Sequence, residues 1–215
     1  MGIQDNGAFG GFRGKTGPLV GRRVKGRNVI SALPHPSNHP KQAAQLTQNL
    51  KHRLLTALLS ELLVLVRVGF KDFAKRGTSS NAAYSYNYGR IFKVVEGQVS
   101  LDFPKLVFSR GSVATPNCAS AARVDDTDGN TSIAFSWLAE RESQFNRVTD
   151  LATFLVFNED NWSGPVVVQD AVSRSALGYV VGIPGLSGAE RLHCFMSFKS
   201  ADGKLVGDSV YAAEV

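Results

Sequence analysis

The run TSIAFSWL at residues 131–138 decides the fold, because its apolar and polar residues alternate with a period of two. Ile133, Phe135 and Trp137 fall on one side of an extended chain, and the small residues fall on the other. Strand composition recurs in LATFLVFN (151–158), PVVVQDAV (165–172), GYVVGIP (178–184), RLHCFMSF (191–198) and LVGDSVYAAEV (205–215). About seven short strands at this spacing predict an immunoglobulin or fibronectin-III-like β-sandwich.

Before these strands the apolar period becomes that of a helix, from about Lys41 to Val68, with Gly69 as the stop signal. At ~1.5 Å per residue, one continuous helix of this span is about 40 Å long. The apolar stripe broadens in its second half, which predicts burial on more than one side. We expect one set of its side chains to join copies of the protein: Leu54, Leu58, Leu62 and Leu65. A shorter helix is expected around Asn81 to Arg90.

The first 40 residues are glycine-rich and end in the proline-punctuated linker LPHPSNHP (33–40), which excludes a helix there. Val20 to Ile30 can form a hairpin with Lys25-Gly26 as its turn. The segment is too poor in apolar groups to form a core, which predicts an extended arm that docks on another subunit. The arm residues expected at that interface are Phe9, Phe12, Leu19, Val20, Val24, Val29 and Ile30.

The predicted fold class is therefore α+β and mainly β, with an extended arm and a long α-helix followed by the sandwich. The domain boundaries expected from composition are a basic arm and linker at 1–40, a helical segment at 41–97 and the sandwich at 98–215.

Positive charge is concentrated at the N-terminus. Residues 1–60 carry nine Lys or Arg and one acid, Asp5, whereas the remaining 155 residues carry 15 basic and 17 acidic side chains. A basic arm on a near-neutral body indicates an acidic partner, such as nucleic acid, anionic lipid or the acidic face of another copy. The candidate anion contacts are Arg13, Lys15, Arg22, Arg23, Lys25 and Arg27.

Motifs for catalysis or metal binding all lack required residues. GFRGKTG (11–17) is similar to a phosphate-binding loop, but Phe9 stands where that loop needs glycine. The run 126–130 resembles the start of a calcium loop, with Thr131 and Trp137 in place of the required glycine and glutamate. No zinc spacing or nucleophile–base pair is present in the sequence. We therefore expect no enzyme activity, no cofactor and no metal, and two buried, reduced cysteines, Cys118 and Cys194.

The sequence has no basic and apolar leader of the secretory kind and no apolar run long enough to span a bilayer. These features predict a protein of the cytoplasm, or of a leaderless assembled particle or filament.

The chain also resembles a family of small bacterial proteins known only as a domain of unknown function, number six-two-six-six. The motifs that carry this resemblance occur in the expected order along nearly the whole chain: residues 6–34, KQAAQLTQN (41–49), VGFKDF (68–73), NAAYSYN (81–87), FSW (135–137) and residues 186–211. The resemblance implies an N-terminal arm, a helical middle and a β-sandwich, and it implies no known activity. The helix start is also similar to segments in some phage virion proteins, which favours assembly.

Three functions remain open from sequence. The leading hypothesis is a subunit that self-assembles into a filament, tube or virion-like particle through the arm and the apolar helix. The second is a nucleic-acid-binding protein that uses the basic arm. The third is a ligand-binding sandwich that recognises carbohydrate or protein through loops around Trp162 and residues 140–149.

Overall fold

A computed structural model describes residues 3–4, 10–24, 26–35, 40–75, 77–95, 98–125, 131–159, 164–183 and 190–215. The chain divides into two compact units, residues 1–42 and residues 43–215. The fold is mixed α and β, with mostly strands in several antiparallel sheets, which confirms the predicted class at that level.

The N-terminal unit is a four-stranded antiparallel sheet. Its strands are β1 (Ile3–Gln4), β2 (Phe12–Thr16), β3 (Leu19–Val24) and β4 (Arg27–Ala32), and each strand pairs with the next one along the chain. The expectation of an extended arm is therefore wrong for this segment. Tight turns explain the difference, because Gly17 and Gly26 have φ values of +56° and +77°, which glycine adopts at little cost. The predicted hairpin is confirmed, with Val24 opposite Arg27, although Lys25 lies outside the described residues.

Three α-helices open the second unit: α1 (Ala43–Glu61), α2 (Leu63–Gly69) and α3 (Ser79–Tyr88). The single long helix expected from about Lys41 to Val68 is interrupted at Leu62, whose ψ of 15° lies well outside helical values near −42°. Hydrogen bonds still cross the break, from the Leu62 N–H to the Leu58 carbonyl oxygen and from the Val66 N–H to that of Leu62. Leu58, Leu62 and Val66 are all buried. Packing of the side chains on both sides of the break is therefore kept at the expense of a single straight helix.

The shorter predicted helix is confirmed as α3. Thr78 caps it, because its hydroxyl oxygen accepts a hydrogen bond from the Asn81 N–H at 3.2 Å. A hairpin that the sequence analysis did not predict follows α3 and consists of β5 (Phe92–Val95) and β6 (Gln98–Leu101).

Seven further strands form two antiparallel sheets. They are β7 (Ser120–Asp125), β8 (Thr131–Ser136), β9 (Leu151–Asn158), β10 (Val166–Ser173), β11 (Gly178–Ile183), β12 (Leu192–Lys199) and β13 (Val210–Glu214). One sheet has the order β11-β8-β7, and the other has the order β10-β9-β12-β13. Single-turn 3-10 helices lie at Lys71–Phe73, Phe103–Lys105 and Arg174–Ala176.

The central strands of the four-stranded sheet are buried on both faces. On one face, Leu155, Phe157 and Phe195 pack with the buried leucines of α1 and α2. On the other face, Phe154 and Met196 pack with the inward side chains of β8 and β11. Residues 43–215 thus form three layers, namely helices, four-stranded sheet and three-stranded sheet. This arrangement explains why LATFLVFN is apolar throughout while TSIAFSWL alternates.

Within the part of the chain that the structure describes, no helix has the length and apolar character needed to cross a membrane.

Gly69 allows the loop at Phe108 and Ser109 to approach the end of α2. A Cβ atom at Gly69 would lie 2.5 Å from both the Phe108 carbonyl oxygen and the Ser109 Cα, whereas one at Gly89 would meet no atom within 4 Å. We therefore expect Gly69→Ala to lower the free energy of unfolding by about 1–3 kcal/mol, and Gly89→Ala to change it by less than about 0.5 kcal/mol. Urea unfolding of both variants measures the difference. Equal stability of the two variants would contradict the packing described for Gly69.

Candidate interaction surfaces

The register of β2, β3 and β4 sorts the N-terminal side chains onto two faces. Directly opposite residues of an antiparallel pair share a face, and consecutive residues alternate between faces. One face carries the pairs Lys15 with Val20, Arg22 with Val29 and Val24 with Arg27. We call this the cationic face; its members are Arg13, Lys15, Val20, Arg22, Val24, Arg27, Val29 and Ser31.

Three cations cross the cationic face along a diagonal. Lys15, Arg22 and Arg27 occupy diagonal positions on three successive strands, with steps of roughly 7–8 Å between neighbours. All three are exposed. None forms an ion pair with a described residue, and the one acid in residues 1–42, Asp5, lies outside the described residues. Positive charge on this face is therefore available to an external anion.

The opposite face is mostly apolar. It carries the pairs Leu19 with Ala32, Gly21 with Ile30 and Arg23 with Asn28. Phe12 also covers it, because a Cβ atom at Gly21 would lie 2.7 Å from the Phe12 ring and 2.2 Å from its carbonyl oxygen. We call this the apolar face; its apolar members are Phe12, Leu19, Gly21, Ile30 and Ala32, and the polar pair Arg23 and Asn28 lies on it beside the β3–β4 turn. Leu19 and Ile30 are 42% and 58% exposed, which is high for side chains of this size in a sheet.

The residues predicted for the arm interface thus divide between the two faces. Phe12, Leu19 and Ile30 lie on the apolar face, whereas Val20, Val24 and Val29 lie between the cations of the other face. Of the predicted anion contacts, Arg23 lies on the apolar face. Arg13 lies on β2, opposite Ile3 of β1, and it shares the face of Lys15 because the two are two residues apart on one strand. Phe9, Lys25, residues 126–130 and Trp162 lie outside the described residues.

The predicted helix interface is not a free surface. Leu58, Leu62 and Leu65 are at most 4% exposed, and Leu54 is half-buried against the same core. Their stripe faces the four-stranded sheet of the same chain, so the apolar periodicity of this helix reflects internal packing instead of contact with neighbouring copies. The exposed leucines of α1 are Leu46 and Leu50, at 54% and 38%.

A buried polar group lies at one end of the four-stranded sheet. His193 Nδ1 lies 2.9 Å from the Tyr211 hydroxyl, Nε2 lies 3.5 Å from a Glu159 carboxylate oxygen, and the ring stacks on Phe103 with centroids 4.5 Å apart. Burial lowers the pKa of His193 against the opposing influence of Glu159. Burial raises the pKa of Tyr211 to about 12, so both groups are neutral near pH 7.

The two cysteines differ from each other. Cys194 is buried, and burial raises its pKa to about 12, which keeps the thiol protonated. Cys118 is exposed, so the prediction of two buried thiols is wrong for it, and neither cysteine is in a disulfide. Among the described residues, His, Cys, Asp and Glu side chains form no group of three or more suited to a metal ion.

Comparison with known families gives one match. The profile of a family of unknown function (DUF6266) matches residues 11–213. The chain belongs to this family. The match includes most of the N-terminal sheet and nearly all of the second unit, and it confirms the resemblance drawn from the motifs. Searches of curated proteins and of solved structures gave no match.

The family motifs fall on structural elements of both units. Residues 6–34 include β2, β3 and β4, and VGFKDF spans the end of α2 and the 3-10 turn after it. NAAYSYN lies within α3, and FSW leads out of β8 into the core residue Trp137. The family resemblance therefore follows the scaffold and the N-terminal sheet together.

The lowered pKa of His193 makes stability depend on pH. Because unfolding restores a pKa of about 6.5, the unfolded chain binds the proton more tightly, and stability falls as pH drops through this value. We expect the free energy of unfolding to decrease from pH 7.5 to pH 5 more steeply in the wild type than in His193→Gln. Glu159, Arg191, Tyr211 and Glu214 surround this group and are retained in the variant.

Urea titrations at several pH values measure this difference, with His35→Gln, an exposed histidine, as the control that keeps His193. Identical pH slopes for the wild type and His193→Gln would show that His193 does not titrate as described.

Proposed function

We propose that this protein is a non-enzymatic structural subunit that self-assembles into a homopolymer, such as a filament, tube or virion-like particle. The apolar face of the N-terminal sheet is the observation that carries the proposal. A single sheet normally buries one face against a second layer, and the described residues of 1–42 contain no helix to supply one. The same face on another copy is a self-complementary cover for Phe12, Leu19 and Ile30.

The edge of the same sheet supports assembly as well. In the order β1-β2-β3-β4, strand β4 has a neighbour on one side only among the described residues, and it is six residues long. An unprotected edge of this length is a template for a strand of another copy, through main-chain hydrogen bonds. Stacking of apolar faces and pairing of edges together provide two directions of growth.

The strands of the second unit suit the role of a rigid body. We propose that β7–β13 form a fibronectin-III-like sandwich, since the first, second and fifth of these strands make one sheet and the other four make the second. In the immunoglobulin constant arrangement the fourth strand belongs to the first sheet. Here β10 pairs with β9 instead. Such sandwiches serve many functions, so the proposal rests on the N-terminal sheet and not on this fold.

The chemistry of the buried groups supports a non-enzymatic role. Cys194, with its pKa near 12, is not a thiolate nucleophile at neutral pH, and it is enclosed in the core between the sheets. His193 is buried against Phe103 and Tyr211, where it packs between core side chains.

Charge on the apolar face tests the assembly proposal. We expect the double variant Leu19→Lys, Ile30→Lys to sediment as a monomer under conditions in which the wild type sediments as a polymer, because two buried ammonium groups oppose stacking. The matched control is Val180→Lys on β11, since Val180 is 56% exposed and Ile30 is 58% exposed. Sedimentation velocity of the three full-length proteins makes the comparison. Polymers that persist in the double variant, or that dissociate equally in the control, would contradict the proposal.

A second candidate function, binding of nucleic acid or another polyanion, is favoured by the diagonal row Lys15, Arg22 and Arg27. A row of cations across a sheet, without ion-pair partners among the described residues, suits contact with successive phosphates. Valines lie between these cations on the same face.

Adjacent arginines on opposite faces provide a matched pair for this candidate. Arg22→Gln removes a member of the diagonal row, whereas Arg23→Gln removes an equal charge from the other face. We expect Arg22→Gln to weaken binding of a labelled duplex DNA and to reduce the slope of log K against log salt by about 0.9, and Arg23→Gln to do neither. Equal effects of the two substitutions would show that binding depends on the total charge of the sheet and not on the face that carries the charge.

A further inference from the structure

Four side chains on the surface of residues 43–215 alternate as ring, guanidinium, ring and guanidinium. The Arg110 Cζ lies 4.5 Å from the centre of the Phe73 ring and 4.0 Å from that of Tyr86, and the Arg90 Cζ lies 4.1 Å from the Tyr86 centre. The two guanidinium groups occupy opposite faces of Tyr86, since two groups this close to one ring centre would overlap on the same face. We call these four residues the arginine–aromatic stack.

Main-chain and ring contacts hold the stack in place. The Arg110 N–H donates to the Gly69 carbonyl oxygen at 2.9 Å, which ties the loop to the end of α2. Arg90 Nη1 donates to the Tyr86 carbonyl oxygen at 2.6 Å. Phe70, which is buried, packs against Phe73 with ring centres 6.1 Å apart. Side chains fixed in this way lose little conformational freedom when a ligand binds.

The stack has unused binding capacity. Among the described residues, no carboxylate forms an ion pair with Arg90 or Arg110. A guanidinium group without a carboxylate is a ready donor to phosphate. Phe73 is 44% exposed, so part of its ring remains open to solvent.

The surrounding charge is positive on balance. The segment that carries Phe73 contributes Arg67, Lys71 and Lys75 against one acid, Asp72. One further acid, Asp208, lies near the stack, because its Oδ1 accepts a hydrogen bond at 2.8 Å from the N–H of Gly111, the residue after Arg110. The chain segment that carries Phe73 is therefore basic on balance, which favours an anionic ligand.

We propose that the arginine–aromatic stack binds single-stranded nucleic acid, with a base on the open side of Phe73 and backbone phosphates on Arg110 and Arg90. The exposed ring is what favours a nucleic acid, because a planar base stacks on an aromatic side chain while an acidic peptide would use the charges alone. This site is distinct from the assembly surface and from the cationic face, since it consists of other residues in the other unit.

Fluorescence anisotropy with a labelled oligothymidylate and the full-length chain at low salt tests the proposal. We expect Phe73→Ala to weaken binding about 5- to 150-fold, in line with the contribution of one stacked base. Phe73→Trp is expected to bind at least as tightly as the wild type, because a larger ring preserves stacking. The matched control is Phe145→Ala, since Phe145 is also 44% exposed and lies outside the stack.

Arg110→Lys keeps the charge and removes the planar group that stacks and donates in pairs, so we expect it to weaken binding as well. Thermal unfolding of each variant establishes that it is folded under the assay conditions. Equal affinities of Phe73→Ala and Phe145→Ala would overturn the proposal, and so would binding of polyglutamate as tight as that of the oligonucleotide. Loss of binding in Arg22→Gln with none in Phe73→Ala or Arg110→Lys would assign the nucleic acid to the N-terminal sheet and reject the stack.

Discussion

Burial of strands β9 and β12 on both faces is the constraint on which the rest of the second unit depends. All residues from Ala152 to Phe157, and all from Leu192 to Phe198, are buried. Each buried Phe or Leu contributes roughly 1.5–3 kcal/mol relative to exposure, so leaving either face open would cost much of the stability of a domain this size. The helices cover one face and β7, β8 and β11 cover the other.

The N-terminal sheet follows the same physics with a different outcome. Its turns and register are well specified by Gly17 and Gly26, but its strands are short and carry too few apolar groups to form a core with a second layer of their own. The register gives one apolar face and one face with a row of cations. A sheet of this kind is stabilised when another surface covers its apolar face, and the proposal of assembly rests on this. The diagonal row Lys15, Arg22 and Arg27 lies on the side that an apolar contact would leave in water, and Arg23 lies on the apolar face beside the β3–β4 turn.

Several of these features follow from sequence because their physics is local. The alternation of TSIAFSWL and the turn at Gly26 depend on residues close together in the chain. The hairpin predicted around Lys25-Gly26 places Arg22 and Arg23 next to each other on one strand, so their side chains lie on opposite faces of the sheet. The sequence analysis did not use this to separate the predicted anion contacts. Leu62 is different, because the interruption there depends on packing against strands about 100 residues further along the chain.

The candidate interaction surfaces also depend partly on residues close together in the chain and partly on residues far apart in it. The leucine stripe from Leu54 to Leu65, which runs from α1 into α2, predicted an interface. Periodicity alone does not distinguish burial within a chain from burial between chains. The arginine–aromatic stack joins α3, the turn after α2 and the loop at Arg110, and no spacing in the sequence marks it.

The central claim is that the N-terminal sheet makes this protein a self-assembling subunit. Negative-stain electron microscopy of the purified full-length protein, beside the chain lacking residues 1–42, tests it most directly. The account predicts regular filaments, tubes or shells for the full-length protein and dispersed single particles for the shortened chain, which retains the three-layer core. Dispersed single particles in both samples, or the same regular polymers in both, would contradict it.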